Sequence, residues 1–263
     1  MEIIIKDYKG KNNNIRFQIK DKEINGITGQ SQNIIDWLLD EKSGKTGQLI
    51  VDEKDNSQKR LNSLKKVIEI VEEEMEIPFF CQKIYERIYY EIRRKNLSLT
   101  NPKKKILEVL KMVGLDYTFV TRNLCSLSTT EKRQIQLAIT LLTSPSIIII
   151  KEPFKSLDKN NEKRMWLLLQ KLKEQYNKTV IIISSNTNQL YRYTNNLIVI
   201  KNDKVLIEGN TSDIFQKVDL LKKNKIAVPE IVEFTYIVRK KKKTKIDYHK
   251  DVRDLIKDIY KHV

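Results

Sequence analysis

The chain has 263 residues, 50 Lys and Arg against 34 Asp and Glu, and a net charge of +16; 40% of its residues are hydrophobic and 32% charged. That length buries one sizeable core, or one core plus an appendage, and no apolar run reaches the roughly 18 residues that a membrane-spanning helix needs. Two cysteines without metal-ligand spacing, Cys81 and Cys125, and two histidines confined to the tail, His249 and His262, argue against a metal centre and a histidine-based core catalyst.

Along the chain, EIIIKDY (2–8) and NIRFQI (14–19) read as strands around a polar turn, and EINGITG (23–29) as a strand ending in a glycine turn. NIIDWLLDE (33–41) has helical spacing, and QLIVDE (48–53) follows the turn SGKTG as a strand. Residues 55–66 read as a polar connection with helical tendency, and 67–71 as a further strand. Apolar residues recur at helical steps from Ile84 to Tyr90 and from Pro102 to Val113, with Pro102 suited to a first turn. STTEKRQIQLAITLLTS (128–144) reads as an amphipathic helix, with Ser128 and Glu131 spaced as a capping box.

Four isoleucines (147–150) then form a strand buried on both faces, and it ends abruptly on Lys151, Glu152 and Pro153. A helix is expected over 162–176, a strand over 179–185, a short helix over 187–193 and a hairpin over 196–209 with its turn at Asn202–Asp203. Beyond Thr211 the chain reads as mainly helical, with a break near Pro229. Strands alternating with helices point to an α/β fold with a largely parallel sheet. Ligands of such folds sit at the carboxyl ends of the strands, where Lys151 and Glu152 stand.

The order of these pieces resembles the nucleotide-binding subunit of an ABC transporter. A glycine turn opens a helix, Leu127–Ser128 precedes another, and four aliphatics lead into an acid, Pro and Ser156-Leu157-Asp158; a second aliphatic strand then ends in Ser184–Ser185. The tail, VDLLKKNKIAVPEIVEFTYIVRKK (218–241) followed by YHKDVRDLIKDIYK, is similar to the C-terminal extension of energy-coupling-factor (ECF) transporter ATPases. The resemblance runs from Ile3 to Tyr260. It implies a P-loop NTPase-like ABC ATPase domain: a mostly parallel sheet with an antiparallel β edge and a helical subdomain, followed by a small helical extension. The implied bounds are 1–215 for the nucleotide-binding domain, roughly 79–144 for the helical subdomain and 216–263 for the extension.

Measured against that family, the chain departs at several positions. A P-loop needs glycines, a lysine and a hydroxyl on the phosphates and magnesium; here Gly26 and Gly29 remain, but Ile34, Ile35 and Asp36 follow where the lysine and hydroxyl belong. The Gly-Lys-Thr inside SGKTG (43–47) lacks the earlier glycine, since Leu39 stands there. Lys151 occupies the place of the Walker B aspartate and Glu152 that of the catalytic glutamate. A charged lysine does not ligate magnesium; it is expected to neutralise Glu152 in an ion pair, and a second reading lets it hold a phosphate without metal. Ser185 stands for the switch histidine, and an acid near Glu73 for the Q-loop glutamine. Tyr8 lies where the family often stacks an aromatic on adenine; packing explains it equally well.

The signature is LSTTE, Leu127, Ser128, Thr129, Thr130 and Glu131. The threonines add bulk where glycines admit a close phosphate approach, while Ser128 and the helix N-terminus remain able to bind an anion. Asp158 matches the D-loop aspartate that reaches the dimer partner. The stretch PFFCQKIYERIYYEI (78–92), with Phe79, Phe80, Tyr85 and Tyr89, matches the groove that receives a transmembrane coupling helix, and these aromatics read equally well as core.

Losing one positioned donor lowers a phosphoryl-transfer rate by ~10²–10³, so losing three implies that this side of the site no longer hydrolyses ATP. The resemblance then implies a degenerate subunit that holds ATP weakly or shares it with its partner, with no magnesium at its own site. It would pair with an intact second ATPase and a transmembrane coupling protein to drive uptake. With no span of its own, and with Met1 opening into a strand rather than a signal peptide, the chain is expected in the cytoplasm at the inner face of the membrane. The alternative is an ABC-fold scaffold or regulatory protein outside transport, with the basic run RKKKKTK (239–245) on nucleic acid or acidic lipid. No aromatic interleaving or nucleic-acid motif supports that partner, and an AT-rich coding bias explains the abundance of Lys, Asn and Ile.

Overall fold

The computed structural model describes residues 3–9, 14–29, 48–51, 54–55, 67–202, 204–242 and 245–262. The helix expected at 33–41, the SGKTG turn and the connection at 56–66 lie outside the described residues. The chain divides into two compact units, Met1–Lys59 with Ile181–Val263, and Arg60–Val180. The architecture is mixed α/β with a mostly parallel sheet. Among the described residues, no helix is long and apolar enough to cross a membrane.

In the first unit, β1 (Ile3–Lys9) lies between β2 (Asn14–Ile19) and β4 (Gln48–Val51), with β5 (Lys54–Asp55) outermost, all antiparallel. Ile3 faces Ile19 on one side and Val51 on the other. A second group of strands carries the deeper core. β3 (Ile24–Gly29) pairs in parallel with β9 (Asn196–Lys201), Gly26 opposite Leu197 and Gly29 opposite Ile200, and β9 turns back on β10 (Lys204–Asn210). Ile24, Ile27, Leu197, Ile198, Val199 and Ile200 are all buried, as parallel strands covered on both faces require.

The same unit holds the tail. Helix α5 (Thr187–Tyr193) begins at Asn186, whose side chain accepts from the Gln189 amide at 3.2 Å. Beyond α6 (Thr211–Phe215) and α7 (Val218–Lys223), Pro229 precedes α8 (Glu230–Lys242), and α9 (Val252–His262) ends the chain. The tail is pinned by polar contacts. Tyr236 donates to the Asp219 carboxylate at 2.8 Å, Lys222 pairs with Glu233, and the Glu230 amide donates to Asn188 Oδ1 at 2.8 Å.

The second unit is built on β6 (Ile68–Val71) and β7 (Ile147–Lys151), parallel and in register from Ile68↔Ile147 to Val71↔Ile150. All four isoleucines of β7 are buried. Helix α1 (Ile84–Arg94) buries Ile84, Ile88 and Ile92 together with an ion pair, Arg87 to Glu91, and Arg94 grips the second Glu91 oxygen at 2.7 Å. Burial alone would raise the Glu91 carboxyl; the hydrogen bonds from Arg94 and Arg87 outweigh it and hold the group below its usual range. Helix α2 (Pro102–Met112) starts at its proline under an Asn101 cap. Two short 3-10 turns, Tyr117–Thr121 and Leu124–Ser126, lead into α3 (Thr129–Thr140).

Helix α4 (Lys159–Tyr176) starts three residues earlier than its apolar periodicity indicates, because Asp158 accepts from the Asn160 and Asn161 amides and caps it there. Strand β8 (Thr179–Ile183) then carries the chain back into the first unit, two residues shorter than expected.

Candidate functional site

The residues singled out in the sequence fall into both units. In the first, Gly26 and Gly29 lie on β3 and are held there by packing. A Cβ on Gly29, at φ +92°, would stand 2.0 Å from the Ile200 carbonyl oxygen. A Cβ on Gly26 would meet Leu190, Leu197 and Thr194 side-chain atoms at 3.1 Å each. Gly29 is therefore required by the chain's own fold, with or without a phosphate, whereas Gly26 sits in a tight side-chain pocket that a Cβ would crowd. The Ser184 amide donates to the Ile27 carbonyl at 3.2 Å, and its hydroxyl accepts from the Asn186 amide at 3.0 Å. Ser185 thus leaves the sheet beside β3 and sits exposed in the turn before α5. Tyr8 lies on β1 opposite Ile15, next to a bulge. Ile34, Ile35 and Asp36 lie outside the described residues.

In the second unit, β7 delivers Lys151 and Glu152. The ion pair expected between them gives way to another: Lys151 Nζ lies 2.9 Å from Glu72 Oε2 and 3.1 Å from Oε1. Two causes act together. Consecutive strand residues point to opposite sides, and the register that sets Val71 beside Ile150 carries Glu72 beside Lys151. Glu152 then enters the left-handed region at φ +44°, sparsely populated for a non-glycine residue and turning the chain sharply. Glu73, which the resemblance sets near the Q-loop glutamine, pairs with Lys155, whose ammonium it holds above the usual lysine range.

Among the described residues, the donors at this strand tip do not suit a divalent cation. The position nearest the strand tip carries an ammonium already committed to a carboxylate, and that commitment also weighs against Lys151 as a free phosphate ligand.

At the N-terminus of α3 the capping box is present. The Ser128 amide and hydroxyl both donate to Glu131 Oε2 at 2.8 Å, and the Glu131 amide donates back to the Ser128 hydroxyl at 3.3 Å. Arg122 holds the other Glu131 oxygen at 2.6 Å. Burial would raise the Glu131 carboxyl, but the Ser128 backbone, Arg122 and the Ser128 hydroxyl together keep it below its usual range. The anion site expected here is thus already occupied by the chain's own carboxylate. Thr129 and Thr130 form the first turn, and Leu127 is buried. Asp158 is likewise engaged as a cap; the Asn161 amide is the main cause of its lowered pKa.

The aromatic stretch is surface, not core. Phe79 is 95% exposed, Phe80 53% and Tyr89 37%. Phe79 meets Phe80 edge-on with centroids 5.3 Å apart, Phe80 meets Tyr90 at 5.1 Å, and Tyr85 stacks on Tyr89 at 5.8 Å. Such a cluster of exposed rings is uncommon on a surface that contacts only water.

One residue escaped the sequence reading. Arg133 is buried on α3, with Nη2 donating to the Lys155 carbonyl at 3.1 Å and with Nε and Nη1 lacking an acceptor among the described residues. Its only sequence signal is its place four residues before the buried Leu137, on the inner face of an amphipathic helix.

Comparison with known proteins agrees with this layout. The ABC transporter family pattern matches residues 12–155. The energy-coupling factor transporter ATP-binding protein EcfA2 of Clostridium acetobutylicum is 26% identical over 246 residues, 91% of this chain and 85% of that protein. Its counterpart from Clostridium perfringens is 26% identical over 234 residues, 86% and 81% of the two chains. Among solved structures, cbiO1 from Clostridium perfringens, described as part of the ABC transporter complex cbiONQ, superposes with a TM-score of 0.71 at 21% identity, over 89% of this chain and 98% of that one.

Proposed function

The chain belongs to the ABC transporter family, and we propose that it serves there as a non-catalytic ATP-binding subunit of an energy-coupling-factor transporter. In this reading residues 1–215 form the nucleotide-binding domain, with its helical subdomain at roughly 79–144, and 216–263 form the C-terminal extension. The subunit pairs with a second, intact ATPase and docks on a transmembrane coupling protein at the inner face of the membrane. It is a pseudoenzyme on its own side.

The observation that carries this reading is the strand tip. Lys151 stands where a metal-holding acid belongs, and its ammonium is bound by Glu72. Phosphoryl transfer depends on positioning and charge neutralisation by metal and cationic donors, and a cation tied to its own chain supplies neither. The ATP that the family implies is then bound weakly here or shared with the partner's site. The exposed rings of Phe79, Phe80 and Tyr89, with the half-buried Tyr85 stacked on Tyr89, support a protein contact in the stretch that matches the coupling groove.

Two measurements test the proposal. The isolated chain is expected to show no magnesium-dependent ATP hydrolysis above a protein-free control; turnover by the pure chain ends the claim of a dead site. Affinity purification from detergent-solubilised native membranes is expected to recover a second ATPase with an intact P-loop and a membrane protein in equal amounts. Recovery of the chain alone, or with nucleic acid, favours the scaffold reading instead.

A further inference from the structure

Arg133 is 7% exposed, yet two nitrogens of its guanidinium are buried and find no acceptor among the described residues. A buried charge with unmet donors is destabilising, and native structures hold few of them. Burial pushes the arginine down from its usual range, against the opposing fields of Glu73 and Glu152. Glu73 is drawn to Lys155, and the hydrogen bond the guanidinium does make, from Nη2, goes to the Lys155 backbone carbonyl.

Arg133 lines a cavity of about 370 Å³ together with Lys132, Gln136, Lys155, Glu73 and Glu74. Lys132 makes no ion pair among the described residues, and Gln136 turns its amide to the Glu72 carbonyl at 3.3 Å. The cavity thus offers one buried guanidinium and one free ammonium, while one of its two acids is already neutralised. This wall of α3 is different from the one bearing Ser128, Thr130 and Glu131, which line a separate cavity of about 770 Å³.

We propose that this cavity is a binding site for a small oxyanion of the phosphate class, with Arg133 as its buried donor and Lys132 as its second cation. Planar guanidinium donors suit tetrahedral oxyanions, and a bound anion removes the penalty of the unmet donors. Glu73 and Thr129, which the transport reading places in the Q-loop region and the signature, also line the cavity, but the two proposed donors, Arg133 and Lys132, are not among the residues assigned there to nucleotide or partner.

The test is thermal unfolding of the full chain in sodium phosphate against sodium chloride of equal ionic strength, with inorganic phosphate as the probe. At a hundredfold excess over Kd, phosphate is expected to raise the midpoint by roughly 5–10 °C beyond chloride. Arg133→Met should fold, because an apolar side chain of similar length removes a buried charge, and should lose that shift. Lys132→Gln, near the cavity mouth, should weaken phosphate by about tenfold while leaving the chloride midpoint unchanged. A parallel titration with ADP separates the sources. A shift with inorganic phosphate identifies a free anion; a shift with ADP alone, lost in Arg133→Met, assigns the phosphate to a nucleotide. Equal midpoints in phosphate and chloride, with no response to ADP, overturn the proposal and leave the cavity to water. So does a shift that persists undiminished in Arg133→Met.

Discussion

The end of β3 and the N-terminus of α3 are both places where this family brings backbone close to phosphate, and they have fared differently. At β3, Gly26 and Gly29 persist, and each is hemmed in by the chain's own atoms: the Ile200 carbonyl against one, and Leu190, Leu197 and Thr194 against the other. At α3, threonines stand where glycines are the family's rule, and the helix terminus is closed by Ser128 and Glu131. The difference separates two reasons for a glycine. One is the fold's own need for space, which holds whether or not a ligand is present. The other is access for a ligand, and where access no longer matters a side chain with a better cap can take its place. Gly29 answers to the first reason, and Gly26 is crowded by side chains to the same effect, so their presence is no evidence for a working nucleotide site.

Gly29 is the place to break that comparison. Gly29→Ala forces a Cβ to within 2.0 Å of a backbone oxygen that cannot rotate away, at a φ of +92° that alanine resists. The expected loss is about 4 kcal/mol, read as a lower urea midpoint with an unchanged slope. Gly114→Ala is the control. Its φ is +78°, but the nearest atom is Gln134 Nε2 at 3.8 Å, so strain acts without a clash and about 1–2 kcal/mol is expected. Equal losses at the two positions would mean that the Ile200 contact is unimportant and that Gly29 is kept for another purpose.

At α3 the expected effects are smaller. Ser128→Ala removes the cap and the hydroxyl that donates to Glu131, leaving the Glu131 amide without its acceptor; about 1 kcal/mol is expected. Thr130→Gly, which restores the family's small residue, should cost about 0.5 kcal/mol of helix propensity. If the glycine variant proves more stable than the parent chain, the threonine was not selected by the fold, and the contrast with β3 weakens.

The elements themselves were legible where one physical signal dominated. The buried runs at 147–150 and 180–183 and the Ser128–Glu131 spacing could be read directly, because burial and capping leave local traces. Partners distant in sequence leave none. Nothing in IIIIKEPF indicates that Lys151 turns to Glu72, 79 positions earlier; that follows only from the register of β6 against β7. The apolar periodicity of the helix after Asp158 starts only at residue 162; the Asp158 cap explains the start at Lys159. Arg133 was hidden by its surroundings, since a cation on an otherwise apolar helix face reads as an ordinary surface residue until its burial is known.

The smallest effect concerns protons. Glu131 carries its charge between the Ser128 donors and Arg122, and its carboxyl lies below the usual range. A carboxyl whose folded pKa is depressed contributes stability above its unfolded pKa, near 4.3, and loses it as pH falls through the lower folded value. Glu131→Gln removes the charge and keeps an amide oxygen for the Ser128 donors. Because Arg122 is partly exposed and its pair is screened, the variant should be less stable than the parent by under about 0.5 kcal/mol at pH 7. The gap should narrow as pH falls below about 4, the unfolded carboxyl's range, and through the lower folded value, where the parent's own carboxyl takes up its proton. Unfolding midpoints of the two chains across that range supply the comparison. A gap that stays constant to pH 2 would assign the stabilisation to the shape of the cap alone, and the charge at the mouth of α3 would then be free to serve a partner rather than the helix.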